Sequence, residues 1–122
     1  MPYTLRYEPD NNCVVLTFEN TVTIENIKEA APRVARMCEE NSCEYLLNDM
    51  SAATIDVSFM ELYTSPKIMD KSRMSPTIKR ALVVPPGFDE AGFLETVTRN
   101  KGHNLMVFQD IEEAKRWLCS GV

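Results

Sequence analysis

The sequence predicts an α/β fold: a mostly parallel five-stranded sheet with an N-terminal antiparallel hairpin strand and about four helices, in the order ββαβαβαβα. Two observations carry this. Short apolar runs of strand length at 13–18, 44–49, 78–84 and 105–108 alternate with longer segments whose apolar residues step by three and four. Turn chemistry separates them at Pro9-Asp10-Asn11-Asn12, Pro85-Pro86-Gly87 and Asn100-Lys101-Gly102. Strands that alternate with helices require right-handed crossovers, which make successive strands parallel. With 122 residues and 44% hydrophobic content the chain has material for one core, so a single domain over 1–122 is expected.

Each element has its own warrant. Tyr3-Thr4-Leu5-Arg6-Tyr7 alternates with period two, and after the turn Cys13-Val14-Val15-Leu16-Thr17-Phe18 forms a more apolar second strand, closing a hairpin. Thr23 caps a helix whose apolar positions Ile24, Ile27, Ala31, Val34 and Cys38 share one face, with Glu25 in the first turn, where the helix dipole favours it. Pro32 falls inside that pattern and predicts a kink. Residues 44–49 are apolar with polar ends, the pattern of a central strand covered on both faces. A helix from Ser58 turns Phe59, Leu62 and Tyr63 inward; Pro66 is expected to disturb its end, and 65–76 reads as a mobile connection. Residues 78–84 form a buried strand, and Phe88, Ala91, Leu94, Val97 and Thr98 mark a third helix. After the strand at 105–108, Asp110 and Glu113 have capping-box spacing for a closing helix that buries Ile111, Ala114, Trp117 and Leu118.

Composition excludes several classes of function. The net charge of −5 is split unevenly, −7 over residues 1–66 and +2 over 67–122, and an acidic chain lacks the concentrated basic surface that nucleic-acid binding needs. The basic cluster Lys67, Lys71, Arg73, Lys79 and Arg80 reads as a solvated loop and strand end. Cys13, Cys38, Cys43 and Cys119 form no C-x-x-C pair and sit in or beside apolar elements, so free and mostly buried thiols are expected. His103 is the only histidine, and its turn reads as a solvated loop. No metal site or cofactor is expected. No apolar stretch approaches the roughly 20 residues of a membrane span, and no secretory h-region is present, so a cytoplasmic location is expected.

One segment carries more than fold. Leu46-Leu47-Asn48-Asp49-Met50-Ser51 and then Ile55-Asp56-Val57-Ser58 read as a buried strand running into an acidic, serine-bearing turn at a helix start. In open α/β sheets, ligands and partners approach the carboxyl ends of the strands, which is where Asp49, Ser51, Asp56 and Ser58 fall. Ser58 and Glu61 have capping-box spacing, which accounts for them structurally. The same geometry also suits a phosphoacceptor: a helix start attracts the phosphate, while Asp49, Asp56 and Glu61 oppose its added charge of about −1.5 to −2.

On these residues the chain resembles the SpoIIAA-like, or STAS, family of anti-sigma-factor antagonists. Family members run from a strand through D-L-S to I-D-S-S-G at a helix start, and their second serine is phosphorylated by a partner kinase. Asp49-Met50-Ser51 falls on D-L-S and Ile55-Asp56-Val57-Ser58 on I-D-S-S, which places Ser58 at the phosphorylated position; Val57 and Phe59 replace a serine and a glycine. Residues 107–118 resemble the family's last strand and helix. The resemblance implies a non-enzymatic regulatory module with a protein partner, a kinase or an anti-sigma-like protein. Some SpoIIAA-like outliers resemble the lipid-carrying CRAL-TRIO fold, which implies a second role. In that role Met50, Phe59, Met60, Tyr63, Met69 and Met74 would line an apolar cleft rimmed by Lys67, Lys71 and Arg73, suited to an acyl chain with an anionic head or to a membrane surface. A third class is an enzyme using Asp49 and Asp56 for acid–base work, though no nucleophile–base pair or glycine-rich phosphate loop accompanies them. Homodimerisation through an edge strand or the helix at 58–65 is a further expectation to test.

Overall fold

The computed structural model describes residues 3–120. Its elements are β1 (Tyr3–Glu8), β2 (Cys13–Phe18), β3 (Thr21–Thr23), α1 (Ile24–Asn41), β4 (Tyr45–Asp49), β5 (Thr54–Asp56), α2 (Phe59–Lys71), β6 (Lys79–Val83), α3 (Ala91–Asn100), β7 (Asn104–Phe108) and α4 (Ile111–Leu118). The main sheet has the order β1-β2-β4-β6-β7. Only β1 runs antiparallel, joined to β2 by the short turn Pro9–Asn11 with Asn12 in the left-handed region. The pairs β2–β4, β4–β6 and β6–β7 are all parallel, because a helix intervenes at each crossover.

The two sheet faces are covered unequally. Alternation sends Val14, Leu16, Phe18, Leu46, Leu82 and Leu105 to the face under α1, α2 and α3, where the larger core forms. Cys13, Val15, Leu47, Ala81 and Val83 point to the other face, and α4 covers them with Ala114 and Leu118. Strand β1 is amphipathic in the same sense. Tyr3 is buried against Phe18, with ring centroids 5.5 Å apart, while Thr4, Arg6 and Glu8 take the opposite face, where Thr4 and Arg6 are exposed.

The architecture matches the expected element order and adds to it. Two three-residue strands, β3 and β5, pair in parallel as a separate small sheet beyond the main one. Thr23 ends β3 and caps α1 in a reciprocal box with Asn26. Helix α1 runs without a break through Pro32, which lies on its exposed side.

Helix α2 corrects the expectation of a mobile 65–76 connection. It continues through Pro66 to Lys71, with Pro66 fully buried in the core. The missing N–H removes one helical bond, and burial of the ring offsets that loss. The helix then closes through Arg73 at φ 63°, where the Met74 N–H donates to the Met69 carbonyl at 3.1 Å and turns Met74 inward. Tyr63 is also corrected: with an exposure of 54% it faces out, while Leu62 faces in. At α4, Asp110 caps alone, accepting from the Glu112 N–H at 2.9 Å.

Candidate functional site

Two regions carry chemistry. The first is the chain leaving the carboxyl end of β4. Asp49 Oδ1 accepts from the backbone N–H of Ser51 at 3.0 Å and from its hydroxyl at 2.6 Å, which folds the residues after β4 into a tight turn. The Met50 N–H donates to the Val83 carbonyl at 2.8 Å and ties that turn to the end of β6. Strand β5 then leads to Ser58, the exposed cap of α2. Ser58 Oγ accepts from the Glu61 N–H at 3.2 Å, and Glu61 Oε1 accepts from the Ser58 N–H at 2.8 Å. Among the described residues Asp49, Asp56 and Glu61 have no ion-pair partner, and no Lys or Arg occurs between Met37 and Pro66. The surface is therefore anionic and holds a hydroxyl at a helix mouth.

The second region lies inside. A cavity of about 100 Å³ separates the sheet from the helices above it, with Leu46, Leu82 and Leu105 on its floor and Val34, Leu62 and Leu94 in its roof. Arg80 and Asn48 also line it. Arg80 is only 3% exposed, and its Nε and Nη2 have no hydrogen-bond partner among the described residues; Asn48 Oδ1 is likewise buried without one among them. Burial lowers the Arg80 pKa to about 10, with the Asp70 carboxylate acting against that shift, so the side chain remains a cation at neutral pH.

The basic cluster and His103 need correction accordingly. Arg80 and Lys79 are buried rather than solvated: Lys79 is held by the Trp117 carbonyl, by Ser120 Oγ at 3.2 Å and by the Trp117 ring, 4.4 Å from its centroid. His103 is also buried, at 3% exposure, and its Nε2 lies 2.9 Å from Asp70 Oδ1. Sequence parity held the signal for Arg80. It stands in period-two register with Ile78, Leu82 and Val84, so a strand that buries those residues buries Arg80 on the same face.

No protein-family model and no curated protein sequence matches the chain. Among solved structures, the anti-sigma factor antagonist SpoIIAA in its unphosphorylated form superposes with a TM-score of 0.57 at 7% identity, covering 98% of this chain and 99% of that one. An uncharacterised DUF3478-family protein with a SpoIIAA-like fold, from Shewanella loihica PV-4, superposes with a TM-score of 0.61 at 16% identity, covering 96% and 92%. The fold is SpoIIAA-like.

Within this SpoIIAA-like domain the candidate residues fall into three groups. Asp49, Ser51, Asp56 and Ser58 follow one another along the segment that leaves β4 and enters α2, with Asp49 bonded to Ser51 and Ser58 to Glu61. Met50, Met69 and Met74 reach the cavity, whereas Met60, 69% exposed, and Tyr63 lie on the outer side of α2; the side chain of Phe59 lies outside the described residues. Lys67, Lys71 and Arg73 are exposed and take no part in the cavity lining. The cation inside the SpoIIAA-like core is Arg80 instead, a role the sequence reading did not assign. No group of His, Cys, Asp and Glu suited to a metal occurs among the described residues, and no described helix is long and apolar enough to cross a membrane.

Proposed function

We propose that this SpoIIAA-like domain is a non-enzymatic regulatory module that recognises a protein partner through the surface of Asp49, Ser51, Asp56 and Ser58, with Ser58 as the residue a kinase modifies. The observation that carries the reading is the exposed Ser58 hydroxyl at the mouth of α2, on a stretch bearing three carboxylates without ion-pair partners among the described residues. Such a surface suits a partner that presents basic side chains, since complementary charge speeds encounter and fixes register. Phosphorylation would place its added charge against Glu61, the residue that closes the capping box, and so change surface potential and the first turn of α2 together.

The test is mass spectrometry of the protein isolated from its native host, combined with affinity capture by wild type, Ser58→Ala and Ser58→Glu. Phosphate on Ser58 and a protein retained by wild type but lost with Ser58→Glu support the reading. An unmodified Ser58 under every growth condition, together with identical retained proteins for all three baits, overturns it.

A second reading is favoured by the cavity itself. A largely apolar space reached by Met50, Met69 and Met74 is suited to a small apolar molecule, because unbranched thioether side chains adapt to varied shapes.

A further inference from the structure

Among the described residues, Arg80 is the one charged residue in the lining of the cavity beneath α1, α2 and α3. A cation at 3% exposure with two guanidinium nitrogens unpartnered is costly for a protein to maintain unless something meets it. The nearby carboxylate does not fill that role directly. Asp70 lies mostly in solvent, with a side-chain exposure of 61%, and its Oδ1 is engaged by His103 Nε2. Asn48 adds a second polar group, and a half-turn of its amide presents an NH₂ donor where Oδ1 now stands.

We infer that this cavity binds a small monocarboxylic acid with a short apolar tail, its carboxylate held by the Arg80 guanidinium and its tail lying among Leu62, Met69 and Leu94. The inference rests on the apolar-ligand reading above and gives it a chemical class and a recognition residue. Guanidinium and carboxylate match in planar, two-pronged geometry, and the pair is strongest where water is excluded. The apolar lining discriminates against a small hydrated anion such as phosphate, which would lose its hydration without gaining contacts. Size sets the tail. A cavity of about 100 Å³ is smaller than the dry cavity of about 150 Å³ that accepts benzene, so the fit is to a few carbons rather than a full-length acyl chain.

The experiment is calorimetric titration of butanoate, 1-butanol and inorganic phosphate into wild type and Arg80→Met. Methionine keeps much of the side chain's reach without its charge, and replacing a buried ion by an apolar residue generally preserves folding, which circular dichroism checks. The expected result is butanoate binding to wild type, weakened at least tenfold in Arg80→Met, with 1-butanol weaker than butanoate on wild type and equal on both proteins. In nitrogen-15-labelled wild type the Arg80 Nε–H resonance shifts with butanoate, a readout that does not depend on the variant folding. Equal butanoate affinity in both proteins, with no Arg80 shift, overturns the role of Arg80 while leaving the cavity as an apolar site. Phosphate binding as tight as butanoate overturns the apolar-tail class. Absence of both butanoate and 1-butanol binding overturns this inference and the apolar-ligand reading together.

Discussion

Single residues account for the local behaviour of the two regions. Ser58 is both a candidate recognition group and the cap of α2, so its removal has a stability cost of its own. Ser58→Ala should lower stability by about 1 kcal/mol in denaturant unfolding while leaving the fold intact, because the Glu61 N–H loses its acceptor. The buried thiols give a pH signature. Burial pushes the Cys13 thiol up to about 11 from its ordinary 9.0. Between those values the unfolded chain has released a proton that the folded chain retains, so stability falls as pH rises through the window. The contribution approaches about 1.4 kcal/mol per pH unit for this group. Denaturation midpoints measured from pH 9 to 11 should therefore fall more steeply for the parent than for Cys13→Ala. The burial of Arg80 and His103 was the hardest feature to read at this scale. Residue type argues for solvent, and only strand parity or the distant Asp70 argues otherwise.

At the scale of elements, hydrophobic periodicity made most of the fold legible. The hairpin, the four helices and the parallel strands all follow from apolar spacing and turn residues, because each must bury one face against the sheet. Strands β3 and β5 escaped because three residues are too few to show alternation, and their pairing joins segments more than thirty residues apart. Helix α2 was foreshortened in the sequence reading because Pro66 signals a break, and only its burial under the core explains why the helix continues. The same helix roofs the cavity through Leu62, which is 4% exposed. Leu62→Ala should cost about 3 kcal/mol in denaturant unfolding, since it deletes buried methyl groups beside a space that is already underfilled. A loss below about 1 kcal/mol would show that α2 collapses onto the sheet and that the cavity is not maintained.

For the molecule as a whole, the sheet divides labour between its ends and its faces. The carboxyl-end surface is anionic and carries Ser58, while the face under α1, α2 and α3 encloses Arg80 in an apolar setting. The resemblance on Asp49-Met50-Ser51 and Ile55-Asp56-Val57-Ser58 led to the fold that the solved structures share, and the anionic segment was legible from those same residues. Of the cavity, only Met50, Met69 and Met74 were named from the sequence as lining an apolar cleft; its place above the sheet and its Arg80 were not, because it arises where three helices fail to fill the space above one sheet, which no local pattern encodes. The central claim is that a protein partner docks on the segment from Asp49 to Glu61. Amide hydrogen exchange of the chain alone and in complex with its captured partner tests this most directly. The account predicts slowed exchange concentrated in residues 50–61; protection confined to β1 or α4, with that segment unchanged, would contradict it.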